Sequence, residues 1–124
     1  MPKIFSKNLD SCVVNDKRLG QLHFPKNDNI MAPFIQSEGI WDPNEFQWLE
    51  DNIKSGDHCL NVGANVGYFT ILMSLLSGEQ GTVNALEPSK ELLLYLKKNI
   101  ADRKIRNVTV HPFAAGARNE RAYF

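Results

Sequence analysis

Hydrophobic positions recur along this chain in two rhythms, and their alternation predicts the architecture. In WDPNEFQWLEDNIKSG (residues 41–56), Phe46, Leu49 and Ile53 fall at i, i+3 and i+7, the stripe of a helix with one buried face. Asp42 is a natural N-cap, Pro43 suits the first helical position, Glu45 completes a capping box and Ser55-Gly56 ends the element. Trp41, just before the cap, is expected to staple against Phe46. A short apolar run from Asp57 to Val62 then reads as a strand, and a helix is predicted from about Val66 to Leu76, stopped by Ser77-Gly78. Thr82 to Leu86 is a second strand. After Glu87-Pro88, Ser89 caps a helix whose Leu92, Leu93, Leu96 and Ile100 form a stripe. The third strand lies in NVTVHPFAA, where Val108 and Val110 alternate with Thr109 and His111 and Pro112 follows, a pattern suited to a sheet edge.

Strands alternating with helices of this length imply βαβ units, a parallel sheet and right-handed crossovers. The expected class is α/β. Ahead of these units, CVVNDKRLGQLHF (12–24) reads as a small β-hairpin turning at Asn15-Asp16, and Pro25, Asn27, Asp28 and Asn29 read as a loop. We therefore divide the chain into a hairpin-and-loop segment, 1–37, and a partial α/β domain, 38–124. The last residues, ERAYF, read as the start of a further strand, which suggests a truncated domain.

Composition narrows the partners. Fourteen basic residues balance fourteen acidic ones, so no net field draws nucleic acid or an anionic membrane. MPKIFSKNLD lacks an apolar core of signal-peptide length, and Tyr68 to Leu76 is about half of a bilayer span, so the chain reads as soluble and cytoplasmic. Cys12 and Cys59 are far apart, with no Cys/His spacing that would suggest a disulfide framework or a metal site.

The candidate chemistry lies in CLNVGANVGYFTILMSLL (59–76). Gly63, Asn65 and Gly67 interrupt an apolar pattern where a strand hands over to a helix, and such a turn makes a ligand crevice at the carboxyl end of a parallel strand. A phosphate loop needs Gly-Lys-Ser/Thr, which does not follow Gly67. A dinucleotide turn needs G-x-G-x-x-G, but Asn65 and Tyr68 occupy the second and third glycine positions. The candidate left is S-adenosylmethionine, whose ribose requires an acidic side chain after the next strand. Glu87 stands there, about twenty residues beyond Gly67. The competing reading is that Glu87 only opens the next helix through its charge.

SEGIWDPNEFQWLEDNIKSGDHCLNVGANVGYFT, GTVNALEPS and NVTVHPFAAG together closely resemble the FkbM family of S-adenosylmethionine-dependent methyltransferases, over roughly residues 38–116. The resemblance implies a Rossmann-like class I methyltransferase fold, of which this chain holds the amino-terminal half with strand order 3-2-1, preceded by a hairpin and a capping helix. It implies that Gly63, Ala64, Asn65 and Gly67 form the turn under the methionine and ribose, that Glu87 holds the ribose hydroxyls, and that Phe113 and Ala114 border the adenine. Asn61 stands where such enzymes usually carry Asp, so it would meet the methionine amino group without a charge. A fourth strand resembling KIDVEG, part of the acceptor half, is absent from the sequence.

The implied activity is O-methylation of a hydroxyl on a sugar, lipid or small metabolite; the alternative is a non-catalytic cofactor-binding half that needs a partner to complete its sheet. No general base is identifiable, since His23, His58 and His111 all read as solvated or structural. With order 3-2-1 the first strand is an edge and part of both sheet faces lacks helices. Marginal stability as a monomer, or self-association through that edge, is expected.

Overall fold

A computed structural model describes residues 9–122. It begins with an antiparallel hairpin, β1 (Ser11–Asp16) and β2 (Gly20–Pro25), followed by helices α1 (Met31–Glu38) and α2 (Pro43–Asn52). Two βαβ units follow: β3 (His58–Val62), α3 (Tyr68–Ser77), β4 (Thr82–Leu86), α4 (Lys90–Asp102) and β5 (Val108–His111). The last three strands form one parallel sheet ordered β3-β4-β5, with Cys59 beside Val83 and Val83 beside Val108. The expected partial Rossmann-like fold and strand order are therefore present.

Several local expectations need correction. The hairpin turns at residues 17–19, not at Asn15-Asp16, because the Asp16 carboxylate accepts from the N–H groups of Arg18 (2.8 Å) and Leu19 (2.9 Å) and so closes the turn itself. Helix α1 was not foreseen. Pro33 obscures it, yet lies in the first turn, where a missing N–H costs nothing, and Asp28 accepts from Ala32 N at 2.7 Å. Helix α3 starts at Tyr68, two residues later than expected, because the glycine turn is longer. Asp42 does cap α2 through Glu45 N. Trp41, however, packs edge-on to Phe34 (5.5 Å), while the Phe46 ring pairs with Tyr68 (6.2 Å). The strand start expected at 120–124 lies partly outside the described residues, and 120–122 contain no strand.

The larger buried cluster joins Val14, Leu22 and Phe24 of the hairpin to Ile35, Phe46, Leu49, Ile71 and Leu72. Each such side chain contributes about 1.5–3 kcal/mol of burial. A smaller cluster, Ala64, Ala85, Leu93 and Leu96, sits under the glycine turn. Helix α4 also meets the hairpin through a polar stripe at one-turn spacing. Tyr95 Oη donates to Asp10 O (2.9 Å), Asn99 bonds both backbone groups of His23, and Arg103 donates to Leu19 O. On the sheet, Val83 and Ala85 are buried, whereas Leu60 and Val62 of β3 are 62% and 54% exposed. β3 is an edge strand among the described residues.

Asn107, just before β5, closes the far end of α3. It accepts from Ser74 Oγ (2.5 Å) and donates to the carbonyls of Ser74 (3.2 Å) and Gly78 (2.9 Å). Asn107→Ala should lower unfolding free energy by about 1–3 kcal/mol in urea titrations, the cost of orphaning partly buried partners.

Candidate functional site

The turn between β3 and α3 is built from left-handed backbone. Gly63 (φ 73°), Asn65 (φ 55°) and Gly67 (φ 98°) all adopt positive φ, which glycine enters freely and asparagine tolerates. This reverses the chain within a few residues. It also lays the turn across the carboxyl end of β4: the N–H groups of Gly63 and Ala64 both donate to Leu86 O at 2.9 Å. The first turn of α3 then begins with N–H groups that have no intrahelical partner and no side-chain cap.

The two glycines serve different ends. A Cβ on Gly63 would meet nothing within 4 Å, so that glycine opens onto free space, as a ligand-facing position requires. A Cβ on Gly67 would lie 2.7 Å from Leu96 Cδ1. Gly67 thus faces inward, against α4, and its expected role of clearing room for a ligand is replaced by close packing. Ala64 is 4% exposed and belongs to the cluster beneath the turn, while the Asn65 side chain is exposed.

Glu87 is 5% exposed and ties this turn to the next one. Its Oε1 accepts from Asn65 N (2.8 Å) and its Oε2 from Ser89 N (2.9 Å). Ser89 is the N-cap of α4, its own hydroxyl accepting from Leu92 N, so Glu87 also supports the opening of that helix. Each carboxylate oxygen has a further lone pair, so a diol could still bind there. The Nδ2 of Asn61 donates to Thr70 Oγ1 (2.8 Å), which orients the amide and leaves Oδ1 as its acceptor end.

Phe113 and Ala114 follow β5 and line an open cleft of about 700 Å³ with Pro88 and Pro112. That cleft adjoins Glu87 in the chain but does not include the glycine turn. The structure therefore joins the turn to Glu87 directly and leaves Phe113, 63% exposed, to one side. His58 Nδ1 is 2.8 Å from Thr82 Oγ1 and His111 Nε2 is 2.9 Å from Asn84 Oδ1. His23 Nε2 lies 3.3 Å from Asp102, and burial pulls its pKa down. Among the described residues no cluster of His, Cys, Asp and Glu could hold a metal, and no helix is long and apolar enough to cross a membrane.

Two residues that hold the turn, Tyr68 and Asn99, were missed in the sequence. Tyr68, 2% exposed, donates to Asp16 Oδ2 (2.5 Å) and accepts from Trp41 N (3.2 Å). Burial first, and the Asp16 bond second, push its pKa well up, so the phenol stays a donor. Asn99 is fully buried and donates to Val66 O (2.9 Å) inside the turn. The signal for Asn99 was an amide at i+3 from Leu96, on the apolar stripe of α4.

The comparisons with known proteins narrow what this geometry serves. The family model described as Protein-L-isoaspartate(D-aspartate) O-methyltransferase (PCMT) matches residues 28–118. The chain belongs to the PCMT family. These are S-adenosylmethionine-dependent methyltransferases. A Protein-L-isoaspartate O-methyltransferase of Caenorhabditis elegans is 28% identical over 74 residues, covering 60% of this chain and 30% of that protein. A protein of the same name from Fervidobacterium nodosum is 38% identical over 64 residues, covering 52% and 31%. The chain thus spans about a third of the length of these PCMT relatives. In fold it is similar to Trm5b from Pyrococcus abyssi, with a TM-score of 0.61 and 19% identity over 84% of this chain and 28% of that one. The FkbM resemblance is not supported.

Gly67→Ala should cost about 2–4 kcal/mol in urea unfolding, from the left-handed backbone plus overpacking against Leu96. Gly63→Ala should cost about 1–2 kcal/mol, from its backbone alone.

Proposed function

We propose that this chain carries the cofactor-binding part of an S-adenosylmethionine-dependent methyltransferase that esterifies a carboxylate on a protein acceptor, as the PCMT relatives' names describe for isoaspartate. The single observation that carries the cofactor role is the bond from Asn65 N to Glu87 Oε1 at 2.8 Å. It holds a ligand-open glycine turn against an acidic side chain at the ends of adjacent parallel strands.

When bound, the cofactor supplies a methyl group on a positively charged sulfur, already activated for in-line displacement. The chain's residues bind and orient. Glu87 offers its uncommitted lone pairs to the ribose hydroxyls, and the Gly63–Gly67 turn presents backbone to the methionine and ribose portions. Asn61 Oδ1 accepts from the amino group, and Phe113 and Ala114 border the adenine.

A protein carboxylate replaces the sugar, lipid or metabolite hydroxyl expected from the sequence. This change removes a difficulty. A hydroxyl nucleophile needs a general base, and no histidine of the described chain is placed as one; a carboxylate is already ionised at neutral pH and needs none. The second reading, a cofactor-binding half that acts only with a partner completing the sheet, draws on the exposed Leu60 and Val62 of edge strand β3.

Calorimetry with S-adenosylhomocysteine tests the cofactor role. The wild-type chain should bind, and Glu87→Ala should weaken binding at least about tenfold through loss of charge-assisted hydrogen bonds. Asn61→Asp should tighten binding by roughly three- to tenfold, because it adds a charge while Thr70 Oγ1 can reverse its bond. Absence of binding by the wild type would overturn the assignment. For the acceptor, radiolabelled methyl transferred to an isoaspartyl peptide should be released by mild alkali, as an ester is; a base-stable product would exclude carboxyl methylation.

A further inference from the structure

The hairpin lies outside the βαβ units, and nothing in the function proposed above uses it. Its polar contacts nevertheless converge on the glycine turn from two sides. Asn99, in the middle of α4 and fully buried, accepts from His23 N (2.8 Å) and donates to His23 O (3.0 Å), so it completes the pairing that β2 would otherwise offer a neighbouring strand. Its remaining N–H goes to Val66 O (2.9 Å). Val66 precedes the N-cap of α3, and its carbonyl therefore lies outside the ladder of that helix. The Val66–Gly67 peptide plane is thereby held at both ends, by Asn99 on its carbonyl and by the Gly67 N–H donating to Ala64 O (2.9 Å). One residue further on, the Tyr68 hydroxyl donates to Asp16, whose other oxygen closes the hairpin turn.

We propose that Asn99 is a positioning residue for cofactor binding: by bonding His23 and Val66 at once, it makes the shape of the glycine turn depend on the docked hairpin, with the Tyr68–Asp16 bond as a second tie. The proposal rests on the reading that this turn holds the cofactor. The reasons are geometric. A buried amide with both N–H groups and its oxygen engaged has one orientation, and it passes that constraint to the peptide plane it touches. Rotation of the Val66–Gly67 plane would break the Gly67-to-Ala64 bond and change the backbone around Asn65, whose N–H is the donor to Glu87. The hairpin therefore acts on the site without touching the ligand.

The test uses the 124-residue chain and three variants. Asn99→Leu keeps the volume and removes all three bonds. Tyr68→Phe keeps the ring contacts with Phe46 and Phe69 and removes only the hydroxyl, so it remains informative if Asn99→Leu does not fold. Asn107→Ala is the control, since it loosens the opposite end of α3. By calorimetry, at a temperature where circular dichroism shows each protein folded, Asn99→Leu should weaken S-adenosylhomocysteine at least about tenfold and Tyr68→Phe about threefold, as expected for lost buried hydrogen bonds felt at the site. Asn107→Ala should stay within about twofold of wild type. In the ligand-free proteins, amide hydrogen exchange at Asn65 and Gly67 should quicken in Asn99→Leu and Tyr68→Phe but not in Asn107→Ala. Wild-type affinity in folded Asn99→Leu and Tyr68→Phe would overturn the proposal, and so would an equal loss in Asn107→Ala. If the wild type binds no S-adenosylhomocysteine, the functional reading fails, and the exchange comparison alone decides whether Asn99 shapes the turn.

Discussion

A single buried carboxylate organises the candidate site. Glu87 takes a backbone N–H from each of two loops, one after β3 and one before α4, and brings them together at the carboxyl end of the sheet. Charge-assisted bonds to backbone amides are among the stronger neutral-to-ion contacts a protein can make, and burial strengthens them further. Each oxygen of the carboxylate accepts one of these bonds and keeps a second lone pair. Two readings of Glu87 competed in the sequence, as a ribose acceptor and as a helix-opening charge. The bond to Ser89 N shows that the helix-opening role is present, and it does not exhaust the capacity of the group.

Around that carboxylate the chain is packed unevenly. The turn rests on α4 so closely that a methyl group on Gly67 would have to displace the Leu96 side chain, and α4 is held in turn by the hairpin through Tyr95, Asn99 and Arg103. The hairpin's apolar residues share one core with α1, α2 and α3. By contrast, one face of the sheet exposes Leu60 and Val62 on an edge strand. Stability and site geometry thus come from the side of the sheet that carries the helices and the hairpin.

PCMT membership places this chain among methyltransferases, and it does not support the FkbM resemblance that the motif strings suggested. VGANVG and LEPS encode a left-handed turn and the carboxylate that bonds to it.

Local chemistry made much of this protein legible in its sequence. Apolar periods of two and 3.6 marked β3 to β5 and α2 to α4, and the glycine turn followed by Glu87 after one βαβ crossover marked the two groups that the structure joins by a hydrogen bond. These features depend on neighbours in the chain, so the residues that encode them are adjacent or regularly spaced. Tertiary structure alone decided the rest. The inward role of Gly67 comes from Leu96, the lock on the turn from Asn99 reaching Val66 and His23, and the buried Tyr68 bond from Asp16 in a hairpin more than fifty residues away. Such pairings join side chains whose separation in sequence carries no period. Their partners become identifiable only when packing brings them within hydrogen-bond reach and excludes the water that would otherwise satisfy them.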